Sequence, residues 1–201
     1  DLVLHSEKLP LTSEKEIFKD LKKRNKWVDA VVVTGGEPTL QNDLAQFLSR
    51  SKRMGFLTMI ETNGTRPKIL KRLFKENLLD RLSMDIKSGL NSSEYSKTTG
   101  VKGKIGPIKE SIKLILSSGI ESEFRTTVVP TLHTKQSLVK LSRQLISLAA
   151  GHSVSWYLQQ FQPKNCLNPV FEKIRPFSKK EMKAILKAVQ KYLPGASLRG
   201  M

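Results

Sequence analysis

Strand-like and helix-like segments alternate along this chain of 201 residues, and the alternation restricts the fold more than any other feature. Runs rich in apolar and β-branched residues predict strands at 29–34, 56–62, 82–87, 123–129, 155–161 and 196–199. The segments between the strands have the apolar spacing of amphipathic helices. Strands joined by helices run in the same direction, so the pattern predicts an α/β fold with a parallel sheet and crossover helices.

Helix starts are marked clearly in the sequence. Ser13 and Glu16 form a capping-box pattern, as do Ser178 and Glu181, and Thr134 precedes a third apolar-periodic segment. No linker or low-complexity stretch interrupts the alternation. We therefore expect residues 1–201 to form one domain.

The chain is strongly basic, with 35 Lys and Arg against 18 Asp and Glu, a net charge of +17. The charge is spread over helical segments such as 22–26, 66–75 and 179–191, which favours solvated outer faces, with a docking surface as the alternative. No RNP-like or zinc-finger motif supports nucleic-acid binding. The one cysteine, Cys166, excludes a disulfide scaffold and suits the cytoplasm. No apolar run approaches the ~20 residues of a membrane span.

Polar residues collect where the predicted strands end. The clusters lie at residues 34–38, 61–64, 85–87, 128–130 and 159–161. In parallel α/β folds the carboxyl edge of the sheet carries the ligand site, because loops and helix N-termini converge there. The sequence therefore predicts a binding site at this edge.

The first cluster combines two glycines with a carboxylate. Gly35 and Gly36 allow the backbone to approach a ligand closely, and Glu37 adds a carboxylate that can hold an ammonium group. The alternative is an ordinary tight turn between a strand and a helix.

The later clusters add charges of both signs. Asp85 and Lys87 are two residues apart on a strand and share one face, and Glu61 and Arg125 are expected beside them. Such a charged ring suits a zwitterionic ligand, although a purely structural ion pair is the alternative. His133, which follows the fourth strand, could also touch a ligand.

Five strings occur together in the order that one enzyme family shows. They are Thr34-Gly35-Gly36-Glu37-Pro38, Glu61-Thr62-Asn63-Gly64, Met84-Asp85-Ile86-Lys87, Arg125-Thr126-Thr127-Val128-Val129-Pro130 and Leu158-Gln159-Gln160-Phe161. Together they resemble radical S-adenosylmethionine enzymes, in the branch that activates glycyl-radical enzymes. Within it they are most similar to activating proteins of anaerobic ribonucleoside-triphosphate reductase, and next to pyruvate formate-lyase activating enzymes.

The resemblance implies a partial (β/α)6 TIM-like barrel with parallel strands and an open side. It implies a 4Fe-4S cluster that binds S-adenosylmethionine, and reductive cleavage to a 5′-deoxyadenosyl radical. That radical abstracts hydrogen from a backbone glycine of a partner glycyl-radical enzyme, here expected to be anaerobic ribonucleotide reductase. The electron comes from a donor such as flavodoxin or ferredoxin.

The same resemblance implies which residues bind S-adenosylmethionine. Gly35, Gly36 and Glu37 match positions that hold the methionyl amine, Glu61 matches one near the methionyl carboxylate, and Val128 matches one beside the adenine. The full set is Gly35, Gly36, Glu37, Pro38, Glu61, Asn63, Asp85, Ile86, Lys87, Arg125, Val128 and Gln159. The resemblance assigns no catalytic side chain and no metal ligand within the chain.

One part of the family pattern is missing. The CxxxCxxC motif that holds the cluster, and the strand before it, do not occur in the sequence. We expect the cluster ligands upstream of Asp1, so that the 201 residues alone do not cleave S-adenosylmethionine. Phe161 stands where a related activating enzyme has a ligand-contacting histidine. Two alternatives stay open: a radical enzyme acting on a small molecule or RNA, and a cluster-free barrel that binds a nucleotide or nucleic acid.

Overall fold

The computed structural model describes residues 10–201, and its centre is a six-stranded parallel sheet. The strands are β1 (Ala30–Val33), β2 (Leu57–Thr62), β3 (Arg81–Asp85), β4 (Glu121–Val128), β5 (Trp156–Gln160) and β6 (Ala196–Arg199). They lie side by side in chain order, each paired in parallel with the next. Every strand predicted from the sequence is present, with boundaries that agree to within two residues.

Within residues 10–201, seven α-helices accompany the sheet. They are α1 (Glu14–Arg24), α2 (Leu44–Arg53), α3 (Pro67–Lys75), α4 (Ser92–Thr99), α5 (Gly106–Ser117), α6 (Lys135–Ala149) and α7 (Lys179–Gln190). Short 3-10 turns occupy Pro38–Leu40 and Pro169–Lys173.

The predicted helix caps form as expected. Ser13, Thr134 and Ser178 each accept a hydrogen bond from a backbone N–H in the first turn of the helix that follows. The sequence did not predict α4. Asn91 caps this helix and Gly100, with φ +71°, ends it, but no buried apolar stripe runs through it to give a periodic signal.

One face of the sheet carries the hydrophobic core. Alternate strand residues such as Phe124, Leu158 and Met84 are buried among aliphatic residues of α2, α3, α5, α6 and α7. Trp156 is fully buried on the same face, and its indole N–H donates to Thr126 Oγ1 at 3.0 Å. The helices therefore cover this face, and the site must lie on the opposite face or at the edge.

The opposite face of the sheet is polar. It presents Glu61, Ser83, Asp85, Glu123 and Arg125 on three neighbouring strands, in register with one another. We call this the polar face. Within residues 10–201, β6 does not pair with β1, so the sheet is not closed. The structure thus confirms an α/β fold with an open parallel sheet, and none of the helices it describes has the length and apolarity to span a bilayer.

Candidate functional site

The turn after β1 brings bare backbone to the carboxyl edge of the sheet. Gly35 and Gly36 have φ of +86° and +45°, a left-handed region that glycine adopts without penalty. Neither residue places a Cβ over the turn. A residue with a Cβ is strained at both angles, so the turn depends on glycine at these two positions.

The Glu37 carboxylate holds this turn through hydrogen bonds. It is 7% exposed and accepts hydrogen bonds from Thr39 N (3.1 Å), Thr39 Oγ1 (2.6 Å), Thr62 Oγ1 (2.7 Å) and Asn63 N (2.7 Å). Oε1 accepts three of these bonds and Oε2 accepts one, so Oε2 keeps an acceptor site. Glu37 therefore holds the turn, and its contact with an ammonium group stays a prediction. Its side chain ties the turn, with the buried Pro38, to the end of β2.

The predicted charged ring forms across three strands. Arg125 donates to Glu61 Oε1 at 2.6 Å and to Asp85 Oδ1 at 3.2 Å. Lys87 Nζ donates to Asp85 Oδ2 at 2.7 Å, and Thr34 Oγ1 donates to Glu61 Oε2 at 2.8 Å. Asp85 and Arg125 are register partners in β3 and β4, which is why they meet. We call these four charged residues the charged ring.

Glu61 and Arg125 of the charged ring keep their charges at neutral pH. The hydrogen bond from Arg125 lowers the pKa of Glu61 below its ordinary value, against the opposing effect of burial. Burial disfavours the charge on Arg125, but bonding to Glu61 and the nearby Asp85 carboxylate raise its pKa overall. Both signs of charge are thus fixed at the carboxyl edge. The donor set fits a zwitterion, which offers an ammonium group to the carboxylates and a carboxylate to the cations.

A second ion pair on the polar face was not predicted from the sequence. Arg199 on β6 donates to both oxygens of Glu123 at 2.6 and 2.8 Å and lies 3.8 Å from the centre of the Tyr157 ring. The bond from Arg199 lowers the pKa of Glu123, and Ser83 Oγ donates to the same carboxylate at 3.2 Å. The two-residue spacing of Glu123 and Arg125 was the available signal, since it puts both on one face.

The other residues implied by the resemblance take different places. Gln159 lies on the polar face as a register neighbour of Arg199. Asn63 donates its N–H to Glu37, and its side chain caps Thr65 N at 2.9 Å. Ile86 and Val128 belong to the hydrophobic core, so the structure does not bring their side chains to the polar face.

His133 connects the ends of two strands. It is 3% exposed, its Nδ1 accepts from Val129 N at 3.1 Å, and its Nε2 bonds Lys87 O at 2.8 Å. Because Nδ1 accepts, Nε2 carries the proton and donates. Burial lowers the pKa of His133, which favours this neutral form. Both ring nitrogens are used within the protein, so His133 holds the loop of Lys87 in place instead of contacting a ligand.

The chain does not offer the donors of an iron–sulfur cluster. Iron–sulfur clusters are held by several cysteine thiolates, and the sequence has only Cys166. Within residues 10–201, no three His, Cys, Asp or Glu side chains group together as a metal site. Cys166 is half-buried in the loop after β5, where its N–H donates to Glu172.

Comparisons with known proteins agree with this geometry. Residues 5–141 match the family described as the Radical SAM superfamily. A protein of Methanocaldococcus jannaschii named "Putative glycyl-radical enzyme activating enzyme" is 30% identical over 190 residues, covering 92% of this chain and 75% of the relative. A "Probable GTP 3',8-cyclase" of Saccharolobus solfataricus is 27% identical over 180 residues, covering 86% of this chain and 58% of the cyclase.

A solved structure shares the fold. It is a domain of pyruvate-formate lyase-activating enzyme from Bacteroides vulgatus, and the match covers 85% of this chain and 99% of that domain. The TM-score is 0.67 at 18% sequence identity. At that identity the similarity concerns the arrangement of strands and helices alone.

Proposed function

The chain belongs to the radical SAM superfamily, and we propose that it activates a glycyl-radical enzyme by using S-adenosylmethionine bound at the carboxyl edge of its sheet. The superfamily in general uses S-adenosylmethionine and a 4Fe-4S cluster. The observation that carries the proposal is the charged ring beside the glycine turn. The choice of a glycyl-radical enzyme as substrate is supported by the name of the M. jannaschii relative.

The charged ring would hold the methionyl part of S-adenosylmethionine. Asp85 and Glu61 offer carboxylates to the ammonium group, while Lys87 and Arg125 offer cations to the carboxylate. The backbone of Gly35 and Gly36 is open to the same group. On one-electron reduction, bound S-adenosylmethionine would break its S–C5′ bond and give methionine and a 5′-deoxyadenosyl radical. The task of the ring is to orient the ligand and to keep its two charged ends apart.

The cluster has no place among these residues. One cysteine cannot supply the thiolates of a 4Fe-4S cluster, so we derive no step through it. We further propose anaerobic ribonucleotide reductase as the partner, a flavodoxin or ferredoxin as the electron donor, and the cytoplasm as the location. The low cysteine content supports the last of these.

Calorimetric titration of S-adenosylmethionine tests the binding site. Lys87 pairs with Asp85 at 2.7 Å at the carboxyl edge, and Lys52 pairs with Asp80 at 2.6 Å just before β3. Lys87→Met should weaken binding about 10- to 150-fold, the worth of a hydrogen bond to a charged group. Lys52→Met removes an equivalent pair and should leave affinity unchanged. Equal losses in both variants would reject the site.

Electron paramagnetic resonance tests the activity. A form of the protein that also carries the CxxxCxxC motif, loaded with its cluster, is incubated with S-adenosylmethionine, a reductant and the glycyl-radical enzyme from the same source. We expect a glycyl-radical doublet that depends on all three. Consumption of S-adenosylmethionine without a doublet would show that the substrate is a different molecule.

Arg199 favours a second candidate function, the modification of a small anionic substrate. The Arg199 side chain is 38% exposed on the polar face and is fixed by Glu123 and Tyr157, so its remaining N–H groups can donate to a phosphate or carboxylate. The relative named as a GTP 3',8-cyclase is consistent with this chemistry. If GTP protects Arg199 from a guanidine-specific reagent and the glycyl-radical enzyme does not, the second candidate is preferred.

A further inference from the structure

We propose that a groove between α5 and α6 docks an acidic segment with an aliphatic anchor, carried by the protein that this chain activates. The partner's identity rests on the proposed function, but the groove's preference for such a segment does not. The groove has a volume of about 630 Å³. It is lined by Leu90, Lys109, Lys135, Gln136, Val139, Lys140, Arg143, Gln144, Ser147 and Leu148.

The groove begins next to the candidate site. α6 follows β4, so its first residues, including Lys135, lie at the carboxyl edge of the sheet. Leu90 lies in the loop after β3, three residues beyond Lys87, and its N–H donates to Gln144 at 2.9 Å. This bond ties the loop that leaves the charged ring to the wall of the groove. A segment lying in the groove is therefore continuous with the edge at which S-adenosylmethionine is proposed to bind.

The rim of the groove is positive. Its lining includes four cations and, within residues 10–201, no aspartate or glutamate. Lys140 pairs with Glu94 at 2.5 Å, and Arg143 is stacked on the ring of Tyr192. Lys109 and Lys135 make no ion pair with any residue from 10 to 201. Two cations are thus ready to pair with an incoming carboxylate, which favours an acidic partner and rapid encounter.

The floor of the groove is aliphatic. The half-buried Val139 and Leu148 supply it, with the buried Leu90 beneath, and none of the described lining residues is aromatic. Single-stranded nucleic acids bind to aromatic platforms on which their bases stack. An amphipathic helix instead inserts leucine-like side chains into an apolar groove between helices. The floor therefore favours a protein segment over a nucleic acid, even though both are attracted by the rim.

Fluorescence anisotropy with a synthetic probe tests the groove without any radical chemistry. The probe is a labelled helical peptide of about 18 residues with leucines on one face and glutamates elsewhere. The double variant Lys109→Glu/Lys135→Glu should bind it at least about tenfold more weakly than the wild-type chain. The matched control, Lys183→Glu/Lys187→Glu on α7, carries the same charge change and should bind within about twofold of wild type.

Two further probes decide what the groove recognises. A peptide with serine in place of leucine keeps the charge and should also bind about tenfold more weakly. A single-stranded oligonucleotide of equal charge should lose no more affinity in the groove variant than in the α7 control. If both double variants lose peptide affinity equally, overall charge is responsible. If the oligonucleotide loses more affinity in the groove variant than in the α7 control, the groove is a nucleic-acid site. Either result overturns the proposal.

The partner protein provides the functional measurement. In the form that carries the CxxxCxxC motif and its cluster, the groove variant should slow glycyl-radical formation while S-adenosylmethionine affinity stays the same. Formation at the wild-type rate would overturn docking in the groove and leave the proposed activity intact. If the wild-type protein forms no glycyl radical but still binds the probe, the proposed activity is wrong and the proposed groove stands.

Discussion

On the helix-facing side of β4, Phe124 is 1% exposed and lies among aliphatic side chains, whereas Arg125, the next residue, lies on the polar face with its side chain 16% exposed. Both side chains are largely removed from water. Phe124 needs only neighbours of suitable volume, and many apolar residues would supply them. Arg125 needs carboxylate oxygens within hydrogen-bond distance of its guanidinium nitrogens, because a buried charge without a partner is costly. The helix-facing side therefore tolerates many apolar neighbours, whereas the polar face requires particular charged ones.

The largest effect is expected on the helix-facing side. Phe124→Ala should lower the free energy of unfolding by about 3–5 kcal/mol, because a cavity replaces a buried ring. Urea denaturation measures the loss. Phe124→Leu keeps most of the volume and serves as the control, with a clearly smaller loss. If the two variants were equally unstable, volume would not be the requirement on this face.

A smaller and pH-dependent effect is expected on the polar face. Arg125→Met should cost about 1.5–3 kcal/mol near neutral pH, because the carboxylates of Glu61 and Asp85 lose their shared donor. In the wild-type chain Arg125 lowers the pKa of Glu61, so this stabilisation is present above about pH 4.3, the ordinary pKa of glutamate, and is lost as pH falls below it. The stability difference between variant and wild type should therefore shrink from pH 7 to pH 3. A constant difference would mean that Arg125 acts through packing.

The difference between the faces also explains what could be predicted from the sequence. The strands and most helices were predictable because burial of one face repeats every two residues in a strand and every three to four in a helix. The charged ring was predictable because Glu61, Asp85 and Arg125 lie on three successive strands and Lys87 follows the second of them. The turn-holding role of Glu37 was not predicted, because a carboxylate that caps a turn looks the same in sequence as any other. Only the positions of Thr39, Thr62 and Asn63 show this role.

Arg199 was missed for a different reason. It lies on the last strand, and its partner Glu123 is 76 positions away in the chain. Nothing local marks such a pair, because it depends on β4, β5 and β6 being neighbours. α4 was missed because it buries no apolar stripe. Both features depend on tertiary contacts, which the hydrophobic periodicity of the sequence does not indicate.

His133 provides a test at the boundary between the two faces. Burial lowers its pKa, so the folded state holds the neutral form while the unfolded state takes up a proton near pH 6.5. Its contribution is complete above that pH and is lost as pH falls, by at most about 1.4 kcal/mol per pH unit. His133→Gln should cost about 1 kcal/mol at pH 7.5 and should flatten the stability profile between about pH 6.5 and 5. A variant that keeps the wild-type slope would assign this titration to another group.

The smallest effect is expected for an ion pair that lies on neither face of the sheet. Arg72 and Glu76 pair at 2.8 Å on α3, with side chains 60% and 42% exposed, whereas Arg125 and Glu61 pair at 2.6 Å with 16% and 28% exposed. Water and salt screen the α3 pair, so a double-mutant cycle should give about 0.3–0.5 kcal/mol and almost nothing in 1 M salt. The same cycle on Arg125 and Glu61 should give a larger coupling that salt changes little. Equal, salt-sensitive couplings would mean that the polar face is an ordinary solvated surface, and the charged ring would then lose its claim to be a preorganised site.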